Sequence, residues 1–306
     1  MKIAVTLGDP SGIGPELILK ALPQFLRFHP SIYGNKKILA RTAERLGLEE
    51  NFHLIKDFVI DTVSDLDFQF GHPDQKTGRI ALSALQAALN ASPDILITAP
   101  IVKSVIKKFD RDFIGHTEYL ARYFKTKDFA MVGIVDKIKI MFLTTHLPIA
   151  DVPKAIDKNA IFMKLRLFAE GLKRYFSLDN PTIGVSALNP HGVEFSYGEE
   201  QQIEQGIRRA QKMGLNVFGP YPADSLFKRN FDGYLVMYHD QGFVYLKAKK
   251  GGVNWTLGLP IIRLSPLSGA ALDIAGKNMA DAKGMVDALR LGIKMFKKGV
   301  RYEKVS

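Results

Sequence analysis

The chain has 306 residues, is 46% hydrophobic and 24% charged, carries a net charge of +11 and has no cysteine. That is ample for a buried core and two lobes. It excludes a disulfide framework, a thiolate nucleophile and a thiolate metal site, so any metal must be held by His, Asp or Glu. No apolar run approaches the roughly 20 residues of a membrane helix, and the basic residues are scattered without interleaved aromatics, unlike a nucleic-acid groove. The surplus charge fits an anionic small-molecule substrate better than nucleic acid or membrane. The tail lysines Lys294, Lys297 and Lys298 suit the last turns of a helix.

In chain order, residues 2–7 read as a strand that breaks into a Gly/Pro loop. This is not the pattern of a signal peptide and makes the cytoplasm the default location. A helix is expected from Pro15 to Phe28, with Pro15 suited to the first turn, then a strand at Ser31–Gly34, a helix through Leu46 and a strand over Phe52–Ile60. Residues Lys76–Asn90 have helical spacing, and Asp94–Thr98 is an apolar strand of the buried parallel kind. Helices near 101–108 and 116–124 follow. Ala130–Val135 and Lys139–Leu143 are close enough to pair antiparallel. A long helix over Asp157–Tyr175, a strand at Thr182–Leu188, a helix over 198–213, strands at Tyr234–Tyr238 and Pro260–Leu264, and a helix from Met279 to Lys297 complete an alternating α/β pattern. No repeat or linker is visible, so two interleaved lobes are expected.

Chemistry gathers at the junctions. Gly8-Asp9-Pro10-Ser11-Gly12-Ile13-Gly14-Pro15-Glu16 joins a strand to a helix. It matches neither the dinucleotide nor the P-loop spacing, so a phosphate-approaching loop and a tight βα turn both remain open. In Gly115-His116-Thr117-Glu118, Thr117 suits a helix cap, or His116 and Thr117 suit donors to an anion. His146, His191 and His239 each follow an apolar run and are bounded by Pro or Gly. Converging beyond the strand ends, they would make a divalent-metal site with open positions. They lack the helical spacing that announces such a site, and structural histidines are the alternative. His29, His53 and His72 sit in ordinary contexts. Lys247, Asn254 and Arg263 would grip carboxylate and phosphate, or be surface charge beside a hairpin.

Taken together, GDPSGIGPE (8–16), Thr98-Ala99-Pro100 to Lys103, GHTE (115–118), TTHLP (144–148), LNPHG (188–192), GPYPADSLF (219–227) and MYHDQG (237–242) resemble the 4-hydroxythreonine-4-phosphate dehydrogenase family of pyridoxal phosphate biosynthesis, nearly end to end. The resemblance implies an isocitrate/isopropylmalate dehydrogenase-like fold. Its two interleaved α/β lobes, with a central cleft, would be 1–127 plus 265–306 on the cofactor side and 128–264 carrying the metal site and dimer interface. It implies a homodimer with the active site near the interface. His146, His191 and His239 would bind one divalent ion per subunit (zinc, cobalt or magnesium), one of them reaching across the dimer. His116, Thr117, Lys247, Asn254 and Arg263 would bind substrate. Gly269 and Asp273 lie in the cofactor-side loop, and Lys103 and Asp240 are candidate general bases because they lie in family-like strings. The reaction would be NAD- or NADP-dependent oxidation of 4-phosphooxy-L-threonine at C3, then decarboxylation to 1-amino-3-hydroxyacetone phosphate. Three departures stand out, one of them a Lys247-to-Asn254 connection shorter than in some relatives. The family's Asp-His-Gly-Thr is Leu267-Ser268-Gly269-Ala270 in this chain, and the stretch after His191 reads Gly192-Val193-Glu194-Phe195-Ser196. They keep open a phosphorylated sugar acid, 4-phospho-threonate or -erythronate, as substrate. A phosphate acyltransferase of the same fold is a further alternative.

Overall fold

A computed structural model describes residues 1–64 and 67–303, with side chains up to residue 299. In chain order the first strands and helices are β1 (Ile3–Thr6), α1 (Gly14–Ala21), β2 (Ser31–Gly34), α2 (Lys36–Leu46), α3 (Glu49–Ile55), β3 (Val59–Asp61), α4 (Gln75–Asn90), β4 (Ile95–Thr98), α5 (Lys103–Ile106) and α6 (His116–Tyr123). Then come β5 (Ala130–Val135), β6 (Ile138–Phe142), α7 (Lys158–Phe176), β7 (Thr182–Ser186), α8 (Glu199–Lys212), β8 (Asn216–Tyr221), α9 (Ala223–Leu226), β9 (Gly233–Val236) and α10 (His239–Lys247). The chain ends with β10 (Val253–Leu257), β11 (Ile262–Pro266) and α11 (Lys283–Glu303). Among the described residues no helix is long and apolar enough to cross a membrane.

The chain forms two compact units, interleaved in sequence. The first holds residues 1–125, 251–254 and 259–296; the second holds 126–250, 255–258 and the chain from Lys297. The expected lobe boundaries differ from these at 126–127, 251–254, 259–264 and 297–303; the change at 259–264 follows from β11, which pairs in parallel with β4 (Arg263 opposite Leu96) and so joins the first unit. Residues 304–306 of the expected first lobe lie outside the described residues.

In the first unit the strand order is β3-β2-β1-β4-β11, with neighbouring strands parallel. The central strands β1 and β4 are short apolar runs buried at every residue, as parallel strands covered by helices on both faces must be, whereas the edge strand β3 buries only Val59. Helix α4 begins where the spacing predicts, because Asp74 accepts from Thr77 N while Thr77 Oγ1 accepts from Asp74 N, a closed capping box. The second unit has the order β5-β6-β9-β7-β8, antiparallel at β5/β6 as expected and parallel elsewhere. Asp157 caps α7 by accepting from Asn159 N and Ala160 N.

Three expectations are corrected. Residues 49–55, which overlap the expected 52–60 strand, form α3: only Val59–Asp61 find a partner in β2, and Glu49 and Glu50 suit a helix start. The expected helix to Phe28 is α-helical only to Ala21 and continues as a 3-10 helix over Leu22–Phe28, with Pro23 in its first turn. The last helix starts at Lys283, whose N–H bonds to Asp281 Oδ1, and runs on to Glu303.

Candidate active site

All three junction histidines fall in the second unit, beyond three neighbouring parallel strands. β9 lies between β6 and β7, with Phe142 opposite Val236 and Val185 opposite Leu235. His146, His239 and His191 therefore follow the same edge of the sheet. Neighbouring strand ends are about 4.8 Å apart. The exits are tied together. Thr144 N and Oγ1 both bond to Met237 O. Gln241 donates to the carbonyls of Ala187 and Leu188 and accepts from Met237 N and Ser186 Oγ.

His239 opens α10, and its ring stacks on Phe243 with centroids 4.3 Å apart. Its Nδ1 lies 2.6 Å from Asp240 Oδ1. An ionised carboxylate there makes Nδ1 the N–H and leaves Nε2 as the free donor atom. His146 stands beside it, ring centroids 6.4 Å apart. His191 does not join them. It is 73% exposed, its Nδ1 3.9 Å from Glu194 Oε2, and its backbone is left-handed at φ 57°. Among the described residues no group of three or more His, Asp or Glu side chains is placed to hold a metal ion. One chain thus presents a pair of imidazoles and, separately, a third turned outward.

The first unit gathers a cationic cluster at the ends of β4 and β11. Arg263 is only 2% exposed and donates to Thr98 Oγ1 at 2.7 Å. Burial pulls its guanidinium down to about 10 against the opposing charge of Glu118. His116, half-buried at the start of α6, is held well below the usual imidazole range by burial and then by the Arg263 and Lys103 charges. The imidazole is therefore neutral at pH 7 beside two cations. A β-carbon on Gly115 would stand 3.2 Å from Lys103 Nζ and 3.1 Å from Glu118 Oε2, so glycine is what lets the ammonium reach this point. Thr117 is half-buried next to His116. Asn254, on β10, keeps a buried Oδ1 without a hydrogen-bond partner. Lys247 lies in the second unit, its Nζ 5.8 Å from the centre of the Phe243 ring. Buried positive charge beside a neutral donor suits an anion.

The loop 8–16 resolves toward the turn. Its amides are committed: Asp9 N to Pro100 O, Ser11 N to Asp9 Oδ1, Gly12 N to Asp9 O and Ile13 N to Ala270 O. Asp9, its carboxyl pushed up by burial, also accepts from the hydroxyls of Ser11 and Thr77. The loop holds the exits of β1 and β4 and the 270 segment in place, leaving these amides no phosphate to cradle. Gly269 is exposed with open space around it, and Asp273 is exposed nearby in the chain.

Sequence reasoning missed Glu200, and it left Thr144 and Gln241 inside motifs without a task. Each acts through contacts between distant segments, which no local spacing reveals.

Comparison with known proteins gives the family and the fold. The family model for pyridoxal phosphate biosynthetic protein PdxA matches residues 27–292. A 4-hydroxythreonine-4-phosphate dehydrogenase of Sulfurihydrogenibium is 38% identical over 315 residues, covering 96% of this chain and 98% of that protein. A protein of Oceanobacillus iheyensis, provisionally named D-threonate 4-phosphate dehydrogenase, is 35% identical, covering 96% and 97%. The crystal structure of a 4-hydroxythreonine-4-phosphate dehydrogenase from Klebsiella pneumoniae superimposes with a TM-score of 0.79 at 28% identity, covering 96% of this chain and 99% of that one. With a family model over residues 27–292 and relatives of the same kind along nearly the whole chain, the chain belongs to the PdxA family of pyridoxal phosphate biosynthetic proteins.

Proposed function

We propose that this PdxA-family oxidoreductase oxidises the C3 alcohol of 4-phosphooxy-L-threonine with NAD or NADP. The 3-oxo acid then loses carbon dioxide to give 1-amino-3-hydroxyacetone phosphate. The observation that carries the reading is the kinship with 4-hydroxythreonine-4-phosphate dehydrogenases over 96% of the chain. The arrangement of the residues supports it.

His146 and His239 of one subunit, with His191 of the partner subunit, would hold one divalent ion. The donor set fits: Asp240 fixes His239 with Nε2 outward, and His191 is turned outward from its own chain. Neutral imidazoles suit zinc or cobalt better than magnesium, which prefers oxygen. When bound, the ion supplies Lewis-acid polarisation at the C3 oxygen, and the nicotinamide supplies the hydride acceptor. An isologous dimer with each site completed by its partner also accounts for the exposed apolar residues that follow the histidines in sequence. These are Leu147 and Ile149 after His146, Val193, Phe195 and Tyr197 after His191, and Val244 after His239. Tyr197 is 99% exposed, an arrangement that marks an interaction surface.

The chain's own residues do the binding and orienting. Arg263 and Lys103 attract the phosphate or carboxylate, and neutral His116 donates a hydrogen bond without adding a third charge. Thr117 and Asn254 would add substrate contacts beside this cluster and help to fix the reacting carbon, and Lys247 is a further candidate. Asp240 is already committed to His239 Nδ1, so it serves ring orientation and not proton abstraction. Lys103 serves the anion as an ammonium, and only as a free amine in the reacting complex would it take the C3 hydroxyl proton. Gly269, with no side chain, and Asp273 would face the nicotinamide nucleotide. Such an enzyme works in the cytoplasm.

A second reading is favoured by the D-threonate 4-phosphate relative at 35% identity and by Leu267-Ser268-Gly269-Ala270 in the cofactor-side loop. It keeps the chemistry and replaces the substrate's amino group by hydroxyl. Both are tested by following nicotinamide reduction with 4-phosphooxy-L-threonine and with D-threonate 4-phosphate, with zinc, cobalt or magnesium added. Metal-dependent reduction with the amino acid alone supports the first reading. Reduction with the sugar acid alone supports the second. No reduction of NAD or NADP by metal-loaded protein with either substrate rejects both.

A further inference from the structure

His191 must be held out into solvent in an unfavourable backbone conformation. A non-glycine residue at φ 57° persists only when its surroundings over-determine it. The His191 ring meets Phe195 edge-on with centroids 5.9 Å apart, but this contact is not buried packing, because Val193, Phe195 and Tyr197 on the same loop are themselves exposed. The anchor is instead a buried carboxylate. Glu200, in the first turn of α8, is 0% exposed. Its Oε1 accepts from Leu188 N at 3.1 Å, Asn189 N at 2.9 Å and Asn189 Nδ2 at 3.3 Å, and its Oε2 accepts from Asn189 Nδ2 at 3.1 Å. On the far side of the loop, Glu200 N donates to Ser196 Oγ at 3.3 Å. One residue thus clamps the loop two residues before His191 and five residues after it. Burial pushes the Glu200 carboxyl up, but the bonds from Ser196 and Asn189 outweigh it and hold the group below the ordinary range, so the clamp is a carboxylate at neutral pH.

We infer that Glu200 is a positioning residue for His191, its buried carboxylate fixing the outward presentation of that imidazole to the divalent ion. The inference rests on the reading of His191 as a ligand. A glutamate that merely complements the α8 dipole would need no bonds to Leu188 and Asn189.

The test is zinc affinity of the full-length protein by competition with a chromophoric chelator, in wild type, Glu200→Gln and His191→Ala. Amide exchange at Leu188 and Asn189 and thermal melting are followed in parallel. The expected result for Glu200→Gln is a roughly 10- to 100-fold loss of zinc affinity, the size typical of losing a residue that orients a ligand. Faster exchange at the two amides should accompany it, with the protein still folded at the assay temperature. Wild-type zinc affinity in Glu200→Gln, with the exchange raised, overturns the role of Glu200 while leaving the ligand reading intact. Wild-type affinity in His191→Ala overturns the ligand reading itself. If Glu200→Gln does not fold, Asn189→Asp decides. It sets a second carboxylate against Glu200 and should weaken zinc similarly; unchanged affinity there rejects the inference.

Discussion

Replacing Arg263 by lysine isolates what the buried guanidinium does, because the charge is kept and the planar fork is lost. Arg263 is 2% exposed, bonded to Thr98 Oγ1 at 2.7 Å and near Glu118, His116 and Lys103. Its guanidinium at about 10 remains charged at neutral pH. If it donates to the substrate's phosphate or carboxylate, the variant loses at least one charge-assisted hydrogen bond, about 1.5–3 kcal/mol. At 1.4 kcal/mol per tenfold, that is roughly 10- to 150-fold in affinity. The assay is calorimetric titration of 4-phosphooxy-L-threonine into wild type and Arg263→Lys, with circular dichroism confirming the fold. Added inorganic phosphate should compete in wild type and much less in the variant. Equal affinities for substrate and phosphate in the two proteins would refute the assignment of this cluster to anion binding.

Three further outcomes follow from the same geometry. His116 is held neutral in the folded protein while the unfolded chain protonates near pH 6.5; its folded value is lowered, so stability present above pH 6.5 is lost as pH falls below it. The melting temperature of wild type should therefore fall between pH 6.5 and 5 more steeply than that of His116→Gln, and parallel slopes contradict the burial argument. His239→Ala should abolish stoichiometric zinc binding measured by equilibrium dialysis with little change in fold, and retained zinc at full stoichiometry removes His239 from the site. Gly8→Ala should fail to fold or melt many degrees lower, because Gly8 has φ +74° and a β-carbon would stand 2.3 Å from Pro100 O, a backbone atom that cannot yield. A wild-type melting curve would show that loop 8–16 does not lock the exits of β1 and β4.

Much of the fold was legible because parallel strands buried on both faces are short, wholly apolar runs, as at Ile3–Thr6 and Ile95–Thr98. The β5/β6 antiparallel pair showed itself through its short connection. Residues 52–60 misled because Phe52, Leu54, Phe58 and Ile60 mix strand-like residues with a helical turn, and only pairing with β2 decides where the strand begins. Helix α10 was hidden because Met237-Tyr238-His239-Asp240-Gln241-Gly242 carries a glycine within its first turn and reads as a loop. The histidines were visible as strand-exit residues, and the structure adds that β9 lies between β6 and β7. The convergence of Lys103, His116 and Arg263 depends on β11 returning beside β4 after more than a hundred residues. Spacing carries no record of that return, and only the family resemblance pointed to it. The Glu200 clamp was silent for the same reason, since its partners Leu188 and Asn189 lie across a loop.

The shared site makes a demand that one mixing experiment meets directly. If each metal is held by histidines of both subunits, His191→Ala and His146→Ala proteins are each inactive, but a mixed dimer has one complete site. It combines His146 and His239 of the first variant with His191 of the second. Unfolding and refolding the two variants together at equal amounts should restore about a quarter of wild-type metal-dependent nicotinamide reduction, as half the two-fold dimers are mixed and each has one working site of two. No recovery from refolded mixtures, with wild type recovering fully under the same treatment, would contradict a metal held by histidines of both subunits.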